Sequence, residues 1–266
     1  MLERYLKTQS QKIDAALLKY LPSKKAPASR LREAMHYAVL QGGKRIRPIL
    51  LLEAARAVGG SEKSVMPAAC AVEFVHSYSL VHDDLPCMDN DAERRGKPSC
   101  HIKFDEVTAL LAGDALLTLA FEVLGHTHLE AIRVLASASG ARGMVGGQAL
   151  DMQYQNKALD LPTLEYINTH KSGNLIAASL KIGSILGGGT QKQTESLNRF
   201  GRCAGLLFQI VDDILDGEGY AKILGFSEAK QKASDLAQKA KKELSSFGKR
   251  AKNLHEITDF VLERKH

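Results

Sequence analysis

Apolar residues recur at helical spacing along most of this chain of 266 residues. Leu31, Met35 and Val39 fall on one helix face, and the alanine-rich stretch 229–244 repeats the pattern with lysines on its other face. The segment 107–124 is apolar nearly all round, which predicts a helix at the centre of a bundle. Alternating runs of β-branched residues are hard to find. The sequence therefore predicts an all-α fold of about ten helices.

Neither composition nor turn signals divide the chain. Its turn-prone segments are short and do not differ in composition from their surroundings, so none reads as a linker. A hydrophobic content of 44% is too high for a disordered chain. We therefore expect a single domain over residues 1–266.

Cysteine usage and apolar run length bear on the compartment. Cys70, Cys87, Cys100 and Cys203 form no CxxC pair, which disfavours a disulfide scaffold or a thiolate zinc site. The apolar stretches are interrupted within about ten residues, whereas a spanning helix needs about 20. The N-terminal residues are charged throughout and lack the apolar core of a signal peptide. We expect a cytoplasmic protein with no membrane span.

A cluster of acidic residues, the first aspartate cluster, follows the apolar run 71–81. It consists of Asp83, Asp84 and Asp89. Pro86 removes a helical hydrogen bond and crowds the preceding turn, so the helix is expected to kink or end there. The chain would then bring Asp89 back toward Asp83.

The second aspartate cluster consists of Asp212, Asp213 and Asp216 and follows the apolar run 204–211. Asp212 and Asp216 are four residues apart and project from one helix face. Carboxylates at the C-terminal end of a buried helix are costly unless a cation meets them. A solvated acidic loop would explain one such cluster, but two at the ends of apolar helices favour Mg²⁺ sites.

Cations accompany these carboxylates. Lys44, Arg45 and Arg47 follow a diglycine, which would let the backbone approach a phosphate that Arg47 can bind through two oxygens. Arg94 and Arg95 follow the first aspartate cluster directly. The spacing is not that of a P-loop, and no nucleic-acid motif fits, although the net charge is +6. The pattern predicts a small ligand that carries phosphate groups and a bound metal.

Two further residues belong to this set. His76 lies two helical turns before Asp83, and Lys171 is a separate cation followed by Ser172. Taken alone, His76 would read as a core histidine and Lys171 as a surface lysine.

These motifs together resemble the trans-isoprenyl diphosphate synthase family, most closely its bacterial-type farnesyl diphosphate synthases. The similarity covers most of the chain, and the order of the two aspartate clusters is highly specific. It is carried by the motifs GGKRIRP (42–48), VHDDLPCMDND (81–91), ERRGKPS (93–99), LLAGDALLTLAFEVL (110–124), GGQALDM (146–152), HKSG (170–173) and FQIVDDILD (208–216).

The resemblance implies an all-α bundle around a central cavity, usually as a homodimer. It implies that the six aspartates of the two clusters bind three Mg²⁺ ions, which hold the diphosphate of an allylic substrate. The residues implied for that diphosphate are Arg94, Lys171 and Gln209, with Ser172 keeping the hydroxyl of the family's usual Lys-Thr pair. The residues implied for isopentenyl diphosphate are Lys44, Arg47, His76 and Arg95.

The implied reaction is a prenyl transfer. The allylic diphosphate ionises, isopentenyl diphosphate attacks the carbocation, and a proton is lost to the departing diphosphate, without a dedicated general base. Tyr78 and Ser79 lie four to five residues before Asp83, at positions where bulky side chains limit product length in this family. Tyr78 predicts a fifteen-carbon product, farnesyl diphosphate. The alternative is the twenty-carbon product, because plant-type geranylgeranyl diphosphate synthases share the string LPCMDND.

The chain departs from the family pattern in two loops. The stretch 125–129 is short, and Asp216 runs directly into residues 217–220, without the longer loop that carries a further lysine in the family. Two other classes share parts of the pattern. A class I terpene cyclase lacks the motif GGKRIRP because it binds no isopentenyl diphosphate, and non-enzymatic regulatory subunits tend to lose aspartates that this chain keeps.

Overall fold

The computed structural model describes residues 1–25, 27–155 and 157–264. Helices account for nearly all regular structure in these residues, which confirms the all-α prediction. The α-helices are α1 (Leu2–Tyr20), α2 (Ser29–Leu40), α3 (Ile46–Val58), α4 (Glu62–Asp83), α5 (Cys100–Lys103), α6 (Glu106–Leu124), α7 (Leu129–Ser139), α8 (Met144–Tyr154), α9 (Leu161–Asn168), α10 (Asn174–Leu186), α11 (Gln191–Asp216), α12 (Gly219–Leu224), α13 (Phe226–Glu243) and α14 (Lys252–Glu263).

Two other helical segments and two strands complete the regular structure of the described chain. A π-helical segment, Thr169–Gly173, joins α9 to α10, and a 3₁₀ helix, Ser245–Ala251, precedes α14. Strands β1 (Glu93–Arg94) and β2 (Lys97–Pro98) form a small antiparallel hairpin.

The described chain divides into two compact units. The first comprises Glu3–Ile49 and Met66–His128, and the second comprises Leu50–Val65 and the described residues from Leu129 onward. In the first unit, Met35 and Val39 of α2 are buried, as their spacing predicts. In the second, α10 is buried along nearly its whole length, and the alanines of α13 face inward.

Local sequence signals set several helix ends. Asp105 and Asp160 accept backbone hydrogen bonds from Thr108 and Thr163 as N-caps of α6 and α9. Thr190 and Gln193 form a capping box at the start of α11. Such caps satisfy backbone donors that the first turn of a helix leaves without a partner.

Helix α6 confirms the predicted element but not its central position. Val107 is 68% exposed, and Leu110 and Leu111 are 46% and 48% exposed. An all-round apolar pattern shows that a helix is suited to burial, but it does not show which faces the same chain covers. Helix α6 is also long and apolar enough to cross a membrane. Core helices of soluble proteins have the same length and apolarity, so this one helix is weak evidence for a membrane span.

Candidate active site

Three basic side chains of the first unit, Arg47, His76 and Arg95, form a cation cluster. Arg47 lies in the first turn of α3, and its Nη1 is 3.5 Å from His76 Nε2 on α4. The Arg47 Nε is buried and finds no hydrogen-bond acceptor among the described residues. A buried guanidinium with a spare donor is suited to binding an anion.

The electrostatics of the cation cluster also favour an anionic ligand. Burial lowers the pKa of His76 well below its ordinary value, and the guanidinium groups of Arg47 and Arg95 lower it further, so the imidazole is neutral at pH 7. Burial lowers the pKa of Arg47 as well, and Arg95 adds to that shift against the opposing effect of Glu73. Like charges held together out of water become more stable when an anion joins them.

Arg45 fixes the loop that carries Lys44 and Arg47. It is 3% exposed and donates to Asp14 Oδ1 at 2.8 Å and Glu73 Oε1 at 2.6 Å. These carboxylates raise the pKa of Arg45 although burial opposes them. Arg45 is therefore a structural anchor, and exposed Lys44 and partly buried Arg47 on either side of it remain for ligand binding.

The diglycine also makes room for a neighbouring side chain. Gly42 and Gly43 have φ angles of 98° and 124°, which favour glycine. A β-carbon at Gly43 would overlap the guanidinium of Arg95, which donates to the carbonyl of Gly42. The loop therefore makes room for Arg95. Close approach of this backbone to a phosphate stays a prediction.

In the hairpin formed by β1 and β2, Arg94 contacts a different region from its neighbour Arg95. Its turn residues Arg95 and Gly96 both have positive φ angles, as a tight two-residue turn requires. Arg94 donates to Asp84 Oδ1 through Nε at 2.9 Å and through Nη2, and to Asp91 Oδ2 at 3.1 Å. Arg94 thus forms a counter-ion to the first aspartate cluster.

The first aspartate cluster surrounds the end of α4, which stops at Asp83 just before Pro86, as predicted. The Asp89 backbone N–H donates to the carbonyl of Asp83 at 2.9 Å, so the chain does return to this residue. Asp84 is 3% exposed, and its burial raises its pKa against the opposing effect of Arg94. Asp83 and Asp89 are the more accessible members.

The second aspartate cluster occupies the last turn of α11. Asp212 and Asp216 lie one turn apart on this helix, which ends at Gly217 in the left-handed conformation, φ 68°. Asp213 differs from them, because its Oδ2 accepts the Tyr220 backbone N–H at 2.9 Å. A β-carbon at Gly219 would overlap the same carboxylate, so Asp213 is packed against the start of α12.

Several negative charges lie close together at the second aspartate cluster. Burial raises the pKa of Asp213, and Asp212, Asp216 and Glu218 raise it further, against the backbone hydrogen bond from Tyr220. Arg264 supplies one counter-ion by donating to Asp212 Oδ1. The Arg264 guanidinium also lies 4.4 Å from the ring centroid of Phe208.

Both aspartate clusters fit Mg²⁺ by the chemistry of their donors. Their oxygens are hard ligands. Burial is the main cause of the raised pKa values of Asp84 and Asp213, and a divalent cation would stabilise their charged forms. Within the described ranges, no three His, Cys, Asp or Glu side chains converge as a finished metal site. Mg²⁺ takes one or two carboxylates and completes its shell with water and phosphate oxygens, so a finished cage is not required.

Lys171 lies in the π-helical segment Thr169–Gly173, a rare geometry that occurs mostly at functional sites. Its Nζ donates to Asp151 Oδ2 at 2.7 Å. Glycines allow neighbouring helices to pack closely here: a β-carbon at Gly147 of α8 would overlap the Lys171 backbone, and one at Gly205 of α11 would overlap Gly173. Gln209 follows Gly205 by one turn of α11.

Tyr78 and Ser79 lie on α4 in the turn before Asp83. Tyr78 is 5% exposed, and burial followed by the nearby Asp83 raises its pKa to about 12. The phenol is therefore neutral. The Ser79 hydroxyl donates to the His76 carbonyl at 2.9 Å, which directs it to its own helix.

Sequence reasoning missed several residues around these clusters. Asp151 and Arg264 are partners of Lys171 and Asp212, and no local spacing connects either pair. Gln148 was also missed. Its amide nitrogen and oxygen are both buried without hydrogen-bond partners in the part of the chain that is described. The three-residue spacing of Gln148 and Asp151 on one helix face was the available signal.

Known proteins match this chain over nearly its whole length. It is 46% identical to farnesyl diphosphate synthase of Geobacillus stearothermophilus, over 84% of this chain and 78% of that protein. It is 41% identical to geranylgeranyl pyrophosphate synthase 4 of Arabidopsis thaliana, over 98% of this chain and 78% of that protein.

Solved structures agree. The apo crystal structure of an FPP/GFPP synthase from Zymomonas mobilis matches with a TM-score of 0.93 and 39% identity, and the match covers 98% of each chain. The polyprenyl synthetase family matches residues 28–249. Fold, charged clusters and family match thus agree, and the chain belongs to the polyprenyl synthetase family.

Proposed function

We propose that this prenyltransferase condenses dimethylallyl or geranyl diphosphate with isopentenyl diphosphate to give farnesyl diphosphate, and that residues 1–266 act as one synthase domain. The observation that carries the proposal is the cation cluster, with its buried Arg47 Nε, for which the described residues provide no acceptor. A cluster of this kind is suited to binding a second diphosphate substrate, and a terpene cyclase uses no such second substrate. Lys44 completes the binding site that the proposal assigns to isopentenyl diphosphate.

The allylic diphosphate is assigned to other residues. Arg94, Lys171 and Gln209 would donate to its oxygens, with Ser172 beside Lys171. In the ligand-free chain, Arg94 and Lys171 are paired with Asp84 and Asp151. These ion pairs keep both cations oriented until a diphosphate provides competing acceptors.

Magnesium binding is assigned to the carboxylates of the two aspartate clusters, with three ions as the resemblance implies. When bound, Mg²⁺ supplies positive charge that stabilises the leaving diphosphate. Asp83, Asp89, Asp212 and Asp216 would be direct ligands. Asp84 and Asp213 are held by Arg94 and by the Tyr220 backbone, so they would orient their neighbours in addition to adding charge.

The proposed reaction balances with the two substrates and needs no further co-reactant. The allylic C–O bond breaks, and the diphosphate leaves with the electron pair while Arg94 and Lys171 hold it. The double bond of isopentenyl diphosphate then forms the new C–C bond. A proton is lost to the departed diphosphate, so no side chain need act as the base. His76, neutral because of its lowered pKa, serves as a binding group.

The deciding experiment is an incubation of the purified chain with Mg²⁺ and dimethylallyl diphosphate, with and without isopentenyl diphosphate, followed by chromatographic sizing of the products. A fifteen-carbon diphosphate that forms only with isopentenyl diphosphate supports the proposal. Products formed without it would indicate a cyclase. A twenty-carbon product would contradict the proposed chain length.

The fifteen-carbon product is proposed because of Tyr78. A neutral, buried phenol one turn before Asp83 is suited to form the floor against which a growing prenyl chain stops. The twenty-carbon alternative has its own support, since relatives with both product names match this chain at similar identity, 46% and 41%.

Replacement of Tyr78 by Ala is expected to lengthen the product to twenty carbons or more, because it removes the ring that blocks further growth. The measurement is product chromatography of the variant beside the wild type. Loss of a buried aromatic ring also costs about 3 kcal/mol of stability. Phe200→Leu, a buried substitution on α11, serves as a control that loses core volume at a residue of another helix. Unchanged length in Tyr78→Ala would remove the floor assignment.

The exposed apolar face of α6 supports the proposal of a homodimer. Val107, Leu110 and Leu111 are large apolar residues that the described chain leaves about half exposed or more. Burial of such a face against a second copy is favourable by about 25 cal/mol per Å². Leu111→Lys is expected to give a monomer by light scattering, whereas Leu129→Lys, an exposed leucine on α7, keeps the dimer. A monomeric wild type would contradict this proposal.

We also propose a cytoplasmic location. Cys70, Cys87, Cys100 and Cys203 are all free thiols. Burial raises the pKa of Cys70 and of Cys100 to about 12, which keeps these thiols protonated and unreactive. Free thiols fit a reducing compartment.

A further inference from the structure

The proposed floor residue has a neighbour that holds it. The rings of Tyr78 and His82, one turn apart on α4, meet edge to face, with centroids 5.7 Å apart and an interplanar angle of 78°. Such aromatic pairs fix each other's orientation. The position of the Tyr78 ring therefore depends on where the His82 ring lies.

His82 in turn is fixed by α6. Its Nε2 lies 3.0 Å from the carbonyl oxygen of Leu110 and 3.8 Å from Asp114 Oδ1. A carbonyl oxygen only accepts, so His82 Nε2 carries the hydrogen and donates it to Leu110. The imidazole thus reaches across from α4 to the backbone of α6.

This contact is possible because residue 113 of α6 is glycine. A β-carbon at Gly113 would overlap the His82 imidazole at its Nε2, Cδ2 and Cε1 atoms. The backbone at this glycine is ordinary helix, so its conformation does not require glycine. Glycine inside a helix is less favourable than alanine by about 1 kcal/mol, and the space for the His82 ring provides the packing reason.

We infer that Gly113 and His82 are positioning residues for chain-length specificity. The space left by the missing side chain of Gly113, here called the notch, holds the His82 ring. His82 in turn holds Tyr78 as the floor for the growing prenyl chain. This inference rests on the proposed function. A side chain at position 113 would push the imidazole out of the notch and release the Tyr78 ring. Removal of the imidazole would release the same ring without any steric overlap.

The test is a product analysis of four full-length proteins: wild type, Gly113→Ala, His82→Ala and the double variant. Each single variant is expected to raise the ratio of twenty-carbon to fifteen-carbon product about tenfold, in the direction of Tyr78→Ala. In the double variant the added methyl group has no ring to displace. Its product ratio should therefore equal that of His82→Ala, which makes the two substitutions non-additive.

Gly125→Ala provides the matched control. Gly125 caps the same helix with a helical φ of −60°, and a β-carbon there would approach nothing closer than 3.2 Å. This variant should keep the wild-type product ratio. His82→Ala keeps the inference falsifiable if Gly113→Ala fails to fold, because it removes atoms and adds none.

The outcomes distinguish failure of the positioning role from failure of the proposed function. If the wild type makes the fifteen-carbon product and the folded variants make the same ratio, the positioning role is overturned while the proposed function stands. If Gly113→Ala and His82→Ala shift the ratio additively, the notch and the ring act independently and the inference is overturned. A wild type that makes no prenyl diphosphate overturns the proposed function, and the inference with it.

Discussion

Asp83→Ala and Asp212→Ala are each expected to lower turnover on the order of a thousandfold, which corresponds to about 4 kcal/mol of transition-state stabilisation. Each variant removes an accessible carboxylate from one aspartate cluster, and with it a proposed Mg²⁺ ligand. The fold should persist, because both residues lie in the last turns of their helices and are only partly buried. The measurement is kcat at saturating Mg²⁺ and substrates, with circular dichroism to confirm helix content.

Two exposed acidic residues serve as controls for this prediction. Asp235 on α13 and Glu33 on α2 are exposed and belong to neither aspartate cluster. Replacement of either by Ala should leave kcat within about twofold of wild type. Activity retained in both Asp83→Ala and Asp212→Ala would remove the metal assignment altogether.

Arg47→Gln is expected to raise the KM for isopentenyl diphosphate about 100-fold while the KM for the allylic substrate stays within about twofold. The reason is that the Arg47 guanidinium belongs to the cation cluster and is not paired with either aspartate cluster. Loss of two charge-assisted hydrogen bonds accounts for an effect of this size. Steady-state kinetics with each substrate varied in turn provides the measurement.

Without ligand, Arg47→Gln is expected to be at least as stable as the wild type. Burial and Arg95 lower the pKa of Arg47, so the free protein holds a guanidinium that is poorly compensated. Its replacement by a neutral amide is expected to raise the free energy of unfolding by about 1 kcal/mol.

Arg45→Gln is the control from the same loop and should have the opposite effect on stability. Arg45 is paired with half-exposed Asp14 and buried Glu73, so its loss leaves the buried Glu73 carboxylate without this partner and costs about 3 kcal/mol. An equal rise in both KM values for Arg47→Gln, or a loss of stability in the free protein, would contradict the role assigned to the cation cluster.

The sequence was sufficient for the fold class and for the motifs of the site. Helical periodicity placed Met35 and Val39 of α2 in the core, and Pro86 marked the end of α4. These features depend on local spacing, which a sequence shows directly. The position of Asp212 and Asp216 one turn apart on α11 could be predicted for the same reason.

Features that depend on distant partners could not be predicted. Consecutive aspartates look equivalent in sequence, yet Asp84 is buried against Arg94, whereas Asp83 is more accessible. Arg264 lies 52 residues from Asp212, and Asp151 lies 20 residues from Lys171. Such pairs arise only when the packing of helices brings them together.

The exposed face of α6 could not be predicted for a related reason. The composition of α6 shows that it is suited to burial, but neighbours in the folded chain decide which face is covered. The contact between Gly43 and Arg95 could not be predicted either, because a glycine in the sequence does not show which distant side chain will lie against it.

The π-helical segment has a consequence for how this chain tolerates change in length. Along α9, the segment and α10, the chain is helical from Leu161 to Leu186 with wider hydrogen-bond spacing only at Thr169–Gly173. Each residue of an α-helix turns the chain by about 100°, so an insertion or deletion normally rotates the buried face of everything that follows. A π-helical turn absorbs one extra residue and keeps the flanking helices in phase. Deletion of one residue within Thr169–Gly173 would therefore restore α-helical spacing and leave the buried face of α10 where it is.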